Sequence, residues 1–388
     1  MNAGANGRGR ILVVGGGAVG MAFAAACGDE VRVLESAPPR PDADPEPFDI
    51  RVYALSAGSR AFLREIDAWH RMPAERISAV TRMEIFGDDG RSRLEFSPPG
   101  GKALAWIAES NRLSRAIEDA ARERGVVISN ACRPGSIAVR PGGTEVVLEG
   151  GEAAVGDVLV GADGVDSWVR RELGLASEEK RYAETAVVAH FRCERPAAGV
   201  ARQWFRADGI LAWLPLPGDR MSIVWSARDA LAEELAALEP EALARRVRDA
   251  GGAALGDLAL DSAVARFALR LVRVPRIAVQ GAVLVGDAAH GVHPLAGQGV
   301  NLGFQDARNL ARELGARSPL ERPGDFGLLR RHERARRADV DAMQFVTDRL
   351  EWLFGLDASL AVAVRNAGLR AMDSTAWAKR LLANRAMR

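Results

Sequence analysis

The stretch Ile11-Leu-Val-Val-Gly15-Gly-Gly17-Ala-Val-Gly20 decides the fold of this chain. Ile11 to Val14 is a short apolar run typical of a buried strand, and Ala18 to Cys27 is a run of small residues that predicts a helix. Glycines between a strand and a helix allow a tight turn and close approach of a pyrophosphate, whose charge the helix N-terminus stabilises. Glu35 ends the next predicted strand, where it would bind ribose hydroxyls and repel a 2′-phosphate. The pattern predicts a βαβ unit that binds a dinucleotide, with FAD and NAD both still open.

The composition and charge are those of an ordinary soluble globular protein. The chain has 388 residues, of which 48% are hydrophobic and 27% are charged, and its net charge is +1. This length predicts two connected domains, and the charge gives no reason to expect nucleic acid as a partner. Cys27, Cys132 and Cys193 are too few and too widely spaced for a disulfide framework or a zinc site, which favours a reducing compartment.

The N-terminal segment imitates a signal peptide, because an uncharged run from Ile11 to Gly28 follows Arg8 and Arg10. The glycines inside this run are poor helix formers and suit a strand and a tight turn better than a targeting helix. No other stretch of the sequence approaches a membrane span. We therefore expect a cytoplasmic protein.

A second glycine-rich motif indicates which dinucleotide is bound. Gly286-Asp287-Ala288-Ala289-His290 follows a predicted strand, Ala282 to Val285, and continues as His293-Pro294-Leu295-Ala296-Gly297-Gln298-Gly299-Val300-Asn301. A carboxylate at a strand end can bind a ribityl hydroxyl, and a glycine-rich turn that enters a helix directs N–H groups at an electron-rich ligand atom. In a flavin that atom is at the N1–C2=O edge, where negative charge accumulates on reduction. A nicotinamide enzyme has no need of this second half-site, so the sequence predicts FAD.

Asp287, His290 and His293 also have three-residue spacings that a metal site could use. They follow a strand end and run into Pro294, so they would not share a helical face, and we predict no metal site. A histidine satisfied by a local hydrogen bond is commoner than an acid–base group, although His290 would lie near the flavin.

The distribution of apolar, glycine-rich and charged stretches along the sequence predicts three regions. The nucleotide-binding domain is expected to be discontinuous, because apolar strands and glycine turns recur in three separate stretches. From about Arg181 alternating strands predict an antiparallel sheet, interrupted by a charged helix from about Pro240 to Asp249. Beyond Leu320 the chain reads as charged helices. The predicted ranges are 1–72, 104–180 and 273–320 for the nucleotide-binding domain, 73–103 and 181–272 for the sheet domain, and 321–388 for the C-terminal helices.

These motifs together resemble the class A flavin monooxygenases. The glycine turn with Glu35, the run Gly161-Ala162-Asp163-Gly164 with Ser167 and Arg170, and Gly286-Asp287 carry that resemblance. Within the class, the chain resembles the ubiquinone-biosynthesis hydroxylases more closely over about residues 11 to 388. The motifs that carry this closer resemblance are Asp49-Ile-Arg51-Val-Tyr-Ala54-Leu55-Ser56, the run His293 to Gly303 ending at Asp306, Thr347-Asp348 with Leu350 and Leu353-Phe354, Arg365-Asn366 with Gly368-Leu369, and Asp373, Lys379 and Ala386-Met387.

The resemblance implies a fold and a set of FAD-binding residues. The fold would be α/β, with a Rossmann-like FAD-binding domain like that of para-hydroxybenzoate hydroxylase, an inserted antiparallel-sheet substrate domain and a C-terminal helical segment. Glu35 and the turn before it would hold the adenosine half of FAD, and Arg51 and Arg112 would reach its phosphate, ribityl or flavin parts. Asp163 would brace the nucleotide loop. The expected contacts are Gly15, Gly17, Ala18, Val19, Gly20, Glu35, Arg51, Arg112, Asp163, Gly286, Asp287, Pro294, Gly297, Gln298, Gly299, Val300 and Asn301, with Pro294 and His290 nearest the flavin.

The resemblance also implies a reaction. NAD(P)H, bound transiently, or a partner reductase would reduce FAD, and dioxygen would add at the flavin C4a to give a hydroperoxide that hydroxylates a polyprenylated phenol in ubiquinone biosynthesis. The partners would be this lipophilic aromatic substrate and dioxygen, with peripheral contact to the inner membrane or to other ubiquinone-biosynthesis proteins. Two alternatives remain: a hydroxylase of another aromatic substrate, and a non-catalytic flavoprotein that scaffolds a quinone-synthesis complex.

Two sets of side chains remain ambiguous at this point. Trp204, Phe205, Trp213 and Trp225 would either line a pocket for an aromatic or isoprenoid group or fill an ordinary sheet core. The basic and apolar stretch 358–388 would either dock on an anionic membrane or form a solvated helical face.

Overall fold

The computed structural model describes residues 11–41, 47–89, 92–140, 142–291 and 299–354. The strands are β1 (Ile11–Val14), β2 (Val31–Leu34), β3 (Val52–Leu55), β4 (Ser78–Val80), β5 (Arg82–Phe86), β6 (Arg93–Phe96), β7 (Ala105–Glu109), β8 (Val127–Ser129), β9 (Pro134–Arg140), β10 (Gly143–Leu148), β11 (Ala153–Gly156), β12 (Val158–Gly161), β13 (Glu178–Cys193), β14 (Val200–Arg206), β15 (Gly209–Pro215), β16 (Arg220–Arg228), β17 (Leu258–Leu260), β18 (Ala265–Arg273), β19 (Ala278–Val279), β20 (Ala282–Leu284) and β21 (His290–Gly291). The α-helices are α1 (Ala18–Cys27), α2 (Ala57–Glu65), α3 (Ser110–Glu123), α4 (Trp168–Glu172), α5 (Asp229–Ala237), α6 (Pro240–Ala250), α7 (Gly299–Gly315) and α8 (Phe326–Phe354).

A six-stranded sheet forms the centre of the nucleotide-binding region, in the order β19-β20-β12-β1-β2-β8. Its pairs are parallel except for β19 with β20. Strand β1 is buried on both faces: Ile11 and Val13 pack in the core formed with α1, α3 and α7, whereas Leu12 and Val14 pack against the small β9–β11 sheet. Burial on both faces explains why this strand is a continuous apolar run instead of an alternating one.

The carboxyl ends of the parallel strands bring the two glycine motifs together. Gly15 follows β1, Glu35 follows β2, Ala162 follows β12, and Gly286 comes shortly after β20. Parallel neighbours end at the same edge of a sheet, which is where open α/β sheets bind their ligands. Segments far apart in sequence therefore meet at one edge.

A larger sheet of nine strands follows the order β21-β18-β13-β16-β15-β14-β5-β6, with β17 paired to β13. It is antiparallel except for the parallel pair β14–β5. Helices α5 and α6 pack on one face, in a core that contains Trp213, Trp225 and Phe191. Side chains on the opposite face line a large cavity.

Two further elements complete the structure. Strands β3, β7 and β4 form a small sheet, and α8 packs against α7 and β19. Within the described ranges, no helix is both long and apolar enough to cross a lipid bilayer.

The predicted fold class is confirmed, and the differences from the sequence prediction concern individual helices and strands. Helix α6 forms where the sequence predicts a charged helix. The sequence does not predict α5 or β18, and it places the start of the antiparallel sheet at about Arg181, whereas β13 begins at Glu178. The domain ranges stay a prediction; Ser78–Val80, which they assign to the sheet domain, pairs with β7 in the small sheet.

Candidate active site

The turn after β1 is built so that only glycine fits at two positions. Gly15 has a φ of +107°, and a Cβ there would lie 2.4 Å from the backbone oxygen of Ala162. A Cβ on Gly20 would lie 2.2 Å from the backbone oxygen of Gly15. Strand β1, the turn and helix α1 therefore pack closer than any side chain would allow.

Gly17 and the start of α1 face open space. A Cβ on Gly17 would meet no atom within 4 Å, and Gly17 caps α1 without any side-chain hydrogen bond. The first turn of the helix contains no acidic residue. The first N–H groups of a helix have no partner inside it and carry partial positive charge, so this end is suited to an anionic group such as a pyrophosphate.

Glu35 lies beside the same turn. Its Oε2 accepts a hydrogen bond of 2.5 Å from the Gly16 N–H, and its Oε1 accepts one of 2.8 Å from the Ala37 N–H. These contacts fix the carboxylate at the end of β2, next to the glycine turn. A carboxylate has about four lone-pair sites, so Glu35 retains capacity for ribose hydroxyls.

Asp163 braces the loop after β12. Its Oδ1 accepts from the Ser167 hydroxyl at 2.5 Å, and its Oδ2 accepts from the Val169 N–H at 2.9 Å. Ser167 in turn caps α4, and Arg170 donates to the Ala288 carbonyl at 2.9 Å. This chain of contacts ties the Asp163 loop to the turn that carries Asp287.

Asp287 lies in the wall of a large cavity, and its side chain is exposed to that cavity. Among the described residues, no side chain or N–H group donates a hydrogen bond to its carboxylate. Burial in the cavity wall raises the pKa of Asp287, and the positive charges of His290 and Arg51 oppose that effect only in part. A carboxylate that faces the cavity and has no protein donor keeps its lone pairs available for the hydroxyls of a ligand.

His290 and Asp306 form a buried pair behind this turn. His290 Nε2 lies 2.5 Å from Asp306 Oδ2, which also accepts from the Gly286 N–H at 3.0 Å, and Arg336 Nε donates to Asp306 Oδ1 at 2.7 Å. Burial acts to lower the pKa of His290, but the charge and hydrogen bond of Asp306 outweigh it and raise that pKa. His290 lies near the turn but does not line the large cavity, so we assign it a structural role as the partner of Asp306.

Arg51 and Arg112 occupy different environments. The Arg51 guanidinium lies 4.8 Å from the centre of the Phe267 ring and lines the cavity. Asp49 accepts a hydrogen bond from the Arg51 backbone N–H, and no ion pair between the two side chains is found in the described region. Arg112 Nε donates at 3.0 Å to Glu109, which is buried and also paired with Arg76.

A cavity of about 1690 Å³ lies between the nine-stranded sheet and the glycine-rich edge. Asp287, Gly299, Val300 and Arg51 line one side, and apolar side chains of the sheet line much of the other. An ordinary small-molecule site is roughly 300–1,000 Å³, so this cavity has room for more than one ligand group.

Comparison with known proteins shows the family. Residues 8–345 match the family described as FAD binding domain. The chain is 32% identical over 380 residues to "3-demethoxyubiquinol 3-hydroxylase" of Escherichia coli K12, covering 95% of this chain and 96% of that protein. It is 31% identical to "Ubiquinone hydroxylase UbiL" of Rhodospirillum rubrum, covering 97% and 89%. The chain belongs to the FAD-dependent ubiquinone-biosynthesis hydroxylases. The resemblance inferred from the motifs is thereby confirmed.

Solved structures of other proteins have a similar fold. PqsL of P. aeruginosa in complex with 2-aminobenzoylacetate has a TM-score of 0.77 at 22% identity, covering 94% of this chain and 100% of that chain. The p-nitrophenol 4-monooxygenase PnpA of Pseudomonas putida has a TM-score of 0.76 at 18% identity, covering 98% of each chain. At these identities the likeness concerns the fold alone.

FAD is the cofactor of this hydroxylase family, and the described residues fit it. Among the described residues, the start of α1 has no side-chain cap, Gly17 has open space beside it, and the Asp287 carboxylate has no donor. A dinucleotide needs donors, room and an acceptor of this kind. NAD(P)H is the usual reductant of the family.

Pro294, Gly297 and Gln298, together with His293, lie outside the described residues. In the described part of the chain, no group of three or more His, Cys, Asp or Glu is arranged to hold a metal ion.

The aromatic residues of the sheet divide between its two faces. Trp213 and Trp225 are buried in the core with α5 and α6, and Trp204 packs against that core. Phe205 alone of the four predicted candidates lines the cavity. The three tryptophans therefore belong to the sheet core, whereas Phe205 belongs to the pocket. Tyr53 and Tyr182 also line the cavity, and the Tyr182 hydroxyl donates to Asp348 at 3.1 Å.

Asn301 holds the start of α7 in place. Its Oδ1 accepts from the Ser56 N–H at 2.9 Å and the Ser59 hydroxyl at 2.6 Å, and its Nδ2 donates to the Ala54 carbonyl at 2.9 Å. The side chain is fully buried. Asn301 thus joins the start of α7 to β3 and α2, a role that Ser56 and Ser59 share and that the sequence did not reveal.

Replacing Asn301 by alanine is expected to lower the free energy of unfolding by about 2–4 kcal/mol, because each buried donor or acceptor left unsatisfied costs about 1–3 kcal/mol. Urea unfolding of the flavin-free protein measures this change. Arg312→Ala, on the exposed side of α7, serves as the control. A change below about 0.5 kcal/mol in Asn301→Ala would contradict the role assigned to these hydrogen bonds.

Proposed function

We propose that this enzyme hydroxylates the aromatic ring of a polyprenylated phenol in ubiquinone biosynthesis. The observation that carries the proposal is the cavity of about 1690 Å³, which lies between the FAD-binding edge and an apolar sheet face. Its size suits a flavin ring together with a lipophilic substrate. The relatives named as ubiquinone hydroxylases, which match this chain over nearly its whole length, support the same substrate class.

We propose the following contacts for FAD. The glycine turn and the start of α1 hold the pyrophosphate, and Glu35 accepts from the adenosine ribose. Asp287 accepts from the ribityl hydroxyls, and Arg51 flanks the flavin or its phosphates. Asp163 and Asn301 act indirectly by holding the loops in place. The residues assigned to direct contact are Gly15, Gly17, Ala18, Val19, Gly20, Glu35, Arg51, Arg112, Gly286, Asp287, Gly299 and Val300, with Pro294, Gly297 and Gln298 added from the sequence.

The residues above would hold FAD, which when bound and reduced by NAD(P)H would supply the activation of dioxygen, with one oxygen atom going to the ring and the other leaving as water. The protein's part is to position the ring, exclude water and supply N–H groups at the flavin edge. The apolar face of the nine-stranded sheet excludes water from one side of the cavity. No protein nucleophile is required, and His290, which faces Asp306, is not assigned a proton-transfer role.

Deletion of the gene in its own organism tests the proposal. We expect loss of ubiquinone and accumulation of a prenylated phenol that lacks one ring hydroxyl, identified by mass spectrometry. The wild-type gene should restore ubiquinone, and a gene carrying Asp287→Ala should not. Normal ubiquinone without an accumulated precursor would overturn the pathway assignment and leave the FAD assignment in place. Restoration by Asp287→Ala would favour a non-catalytic scaffold.

We also propose that the enzyme contacts the inner membrane from its surface, because a polyprenylated substrate partitions into lipid. The basic and apolar stretch 358–388, which the sequence predicts to dock there, lies outside the described residues. Sedimentation of the full chain with anionic phospholipid vesicles tests this idea. Binding that weakens as salt rises supports it, and no binding at low salt contradicts it.

A further inference from the structure

One wall of the cavity is formed by four neighbouring strands, β5, β14, β15 and β16. The side chains that these strands contribute to the wall are apolar at eight of the ten described positions. They are Met83, Ile85, Ala201, Phe205, Ile210, Ala212, Leu214 and Val224, with Gln203 and Ser226 as the two polar members. An amide in such a surface needs a physical reason, because burying a polar group without a hydrogen bond is costly.

Gln203 lies on β14, between Ile85 of β5 and Ala212 of β15 in the sheet register. Its side chain is only 6% exposed, and it lines the cavity. Within the described residues, no hydrogen-bond partner is present for its amide. Neither neighbour in register can supply one, since both side chains are hydrocarbon, and the small Ala212 leaves space next to the amide. The amide nitrogen and oxygen are therefore open only to the cavity and its contents.

The other polar groups near this wall differ from Gln203. The Tyr182 and Thr185 hydroxyls are engaged, with Asp348 and Asp229 respectively. Ser226 also lacks a partner in the described region, but it lies two strands away and carries one hydroxyl. From strand spacing and rise, its Cα lies roughly 12 Å from that of Gln203. Gln203 is thus the larger polar group on this apolar wall, with two donors and an acceptor available.

We propose that the Gln203 amide binds an oxygen substituent of the substrate ring and thereby selects oxygenated rings over hydrocarbon ones. The proposal rests on the function proposed above, and it names the group that recognises the substrate. The amide can donate to a methoxy or hydroxyl oxygen and can accept from a hydroxyl, whereas the apolar wall around it binds carbon atoms without distinction. A contact at one point of the ring also fixes which ring carbon faces the flavin.

The test compares two probes on the FAD-loaded enzyme, 2-geranylphenol and geranylbenzene, which differ only in the ring hydroxyl. Binding is followed by the change in flavin absorbance. The wild-type enzyme should bind the phenol about tenfold more tightly or better, because a site built to hydrogen-bond a hydroxyl discriminates against the analogue that lacks it. In Gln203→Met, which has similar length and no amide, this ratio should fall to about one while the affinity for geranylbenzene is unchanged. Gln203→Leu repeats the test with another side-chain shape.

Two further measurements separate recognition from a structural role. Without ligand, Gln203→Met should melt at the same temperature as wild type or higher, because an unpaired buried amide is replaced by an apolar group. Ser222→Ala is the matched control, since Ser222 lies on β16 in the same sheet but its buried hydroxyl does not line the cavity. This control should keep the wild-type ratio.

The outcomes are distinguishable. If Gln203→Met and Gln203→Leu keep the wild-type preference for the phenol, the inference is wrong and the proposed function stands. If both variants lose affinity for both probes and melt at lower temperature, Gln203 is structural and the inference is again wrong. If the wild-type enzyme binds neither probe, the proposed substrate class fails and the inference fails with it.

Discussion

Asp287→Ala is expected to purify colourless or weakly yellow, with flavin content at least about tenfold below that of the wild-type enzyme. Hydrogen bonds to a charged group contribute roughly 1.5–3 kcal/mol each, and one such bond corresponds to about tenfold or more in affinity. Asp287 has no hydrogen-bond donor among the described residues and lines the cavity beside Gly299 and Val300. FAD hydroxyls would supply those donors, so removing the carboxylate removes its contribution to binding. The ratio of absorbance at the flavin band to that of the protein measures the effect.

Two further variants make this prediction specific. Asp249→Ala removes an exposed carboxylate on α6, on the other side of the nine-stranded sheet, and should keep full flavin content. Asp287→Asn keeps one acceptor oxygen and should retain an intermediate amount. Full flavin content in Asp287→Ala would refute the ribityl contact, provided that the variant is folded by circular dichroism.

Asp306→Asn is expected to lower the free energy of unfolding by about 3–5 kcal/mol, because it removes the buried carboxylate that pairs with Arg336 and His290 and leaves Arg336 with its ion pair to the exposed Asp339. Asp306 is 1% exposed, Arg336 is 6% exposed and His290 is 3% exposed. Asp306 also accepts from the Gly286 N–H, so the turn that carries Asp287 should loosen as well. Urea unfolding of the flavin-free protein measures the stability, and a parallel FAD titration measures the loosening of the site.

The pH dependence of this effect follows from two pKa shifts of opposite sign. Burial acts to raise the pKa of Asp306, but His290 and Arg336 outweigh burial and hold it well below its usual range. The stability from Asp306 is therefore present above its ordinary pKa of about 4 and is lost as the pH falls further. The pKa of His290 is raised, so its contribution is complete below about pH 6.5 and is lost as the pH rises through the folded-state value. The difference between wild type and Asp306→Asn should be largest between about pH 4 and 6.5.

His332, the other buried histidine near Asp306, does not add to this pH dependence, and the partly exposed Glu321–Arg331 ion pair provides a control variant. Burial lowers the pKa of His332 to about 4, so it stays neutral through most of this pH window. Glu321→Gln removes a partly exposed ion pair with Arg331, whose atoms lie 2.7 Å apart, the same separation as in the Arg336–Asp306 pair. That variant should cost less than about 1 kcal/mol. An equal effect of Glu321→Gln and Asp306→Asn would contradict the importance assigned to burial.

The parts of the fold and site that could be predicted from sequence are those with local signals. The strand, glycine turn and helix from Ile11 to Cys27 are contiguous, and the steric reasons for Gly15 and Gly20 lie within that unit and the adjacent β12 loop. The second motif at Gly286 could be joined to the first because parallel strands end at one edge. The alternating strands β14, β15 and β16 were likewise visible as period-two patterns.

The remaining features depend on contacts between distant segments. Asn301 bonds to Ser56, and nothing in one sequence pairs those positions. Alternation along β14 shows that Trp204 and Phe205 face opposite ways, but it does not say which face meets the cavity. Strand β18 carries three arginines, and the first part of β13 is charged and exposed, so both resemble loops until their pairing partners are known.

The central claim is that this enzyme transfers oxygen from dioxygen to the ring of a prenylated phenol. The most direct measurement uses purified FAD-loaded enzyme with NAD(P)H and 2-geranylphenol under ¹⁸O₂, followed by mass spectrometry of the product. We predict faster NAD(P)H oxidation when the phenol is present, and a hydroxylated ring that carries one ¹⁸O atom. NAD(P)H oxidation that the phenol does not stimulate, or a new ring oxygen derived from water, would contradict the claim.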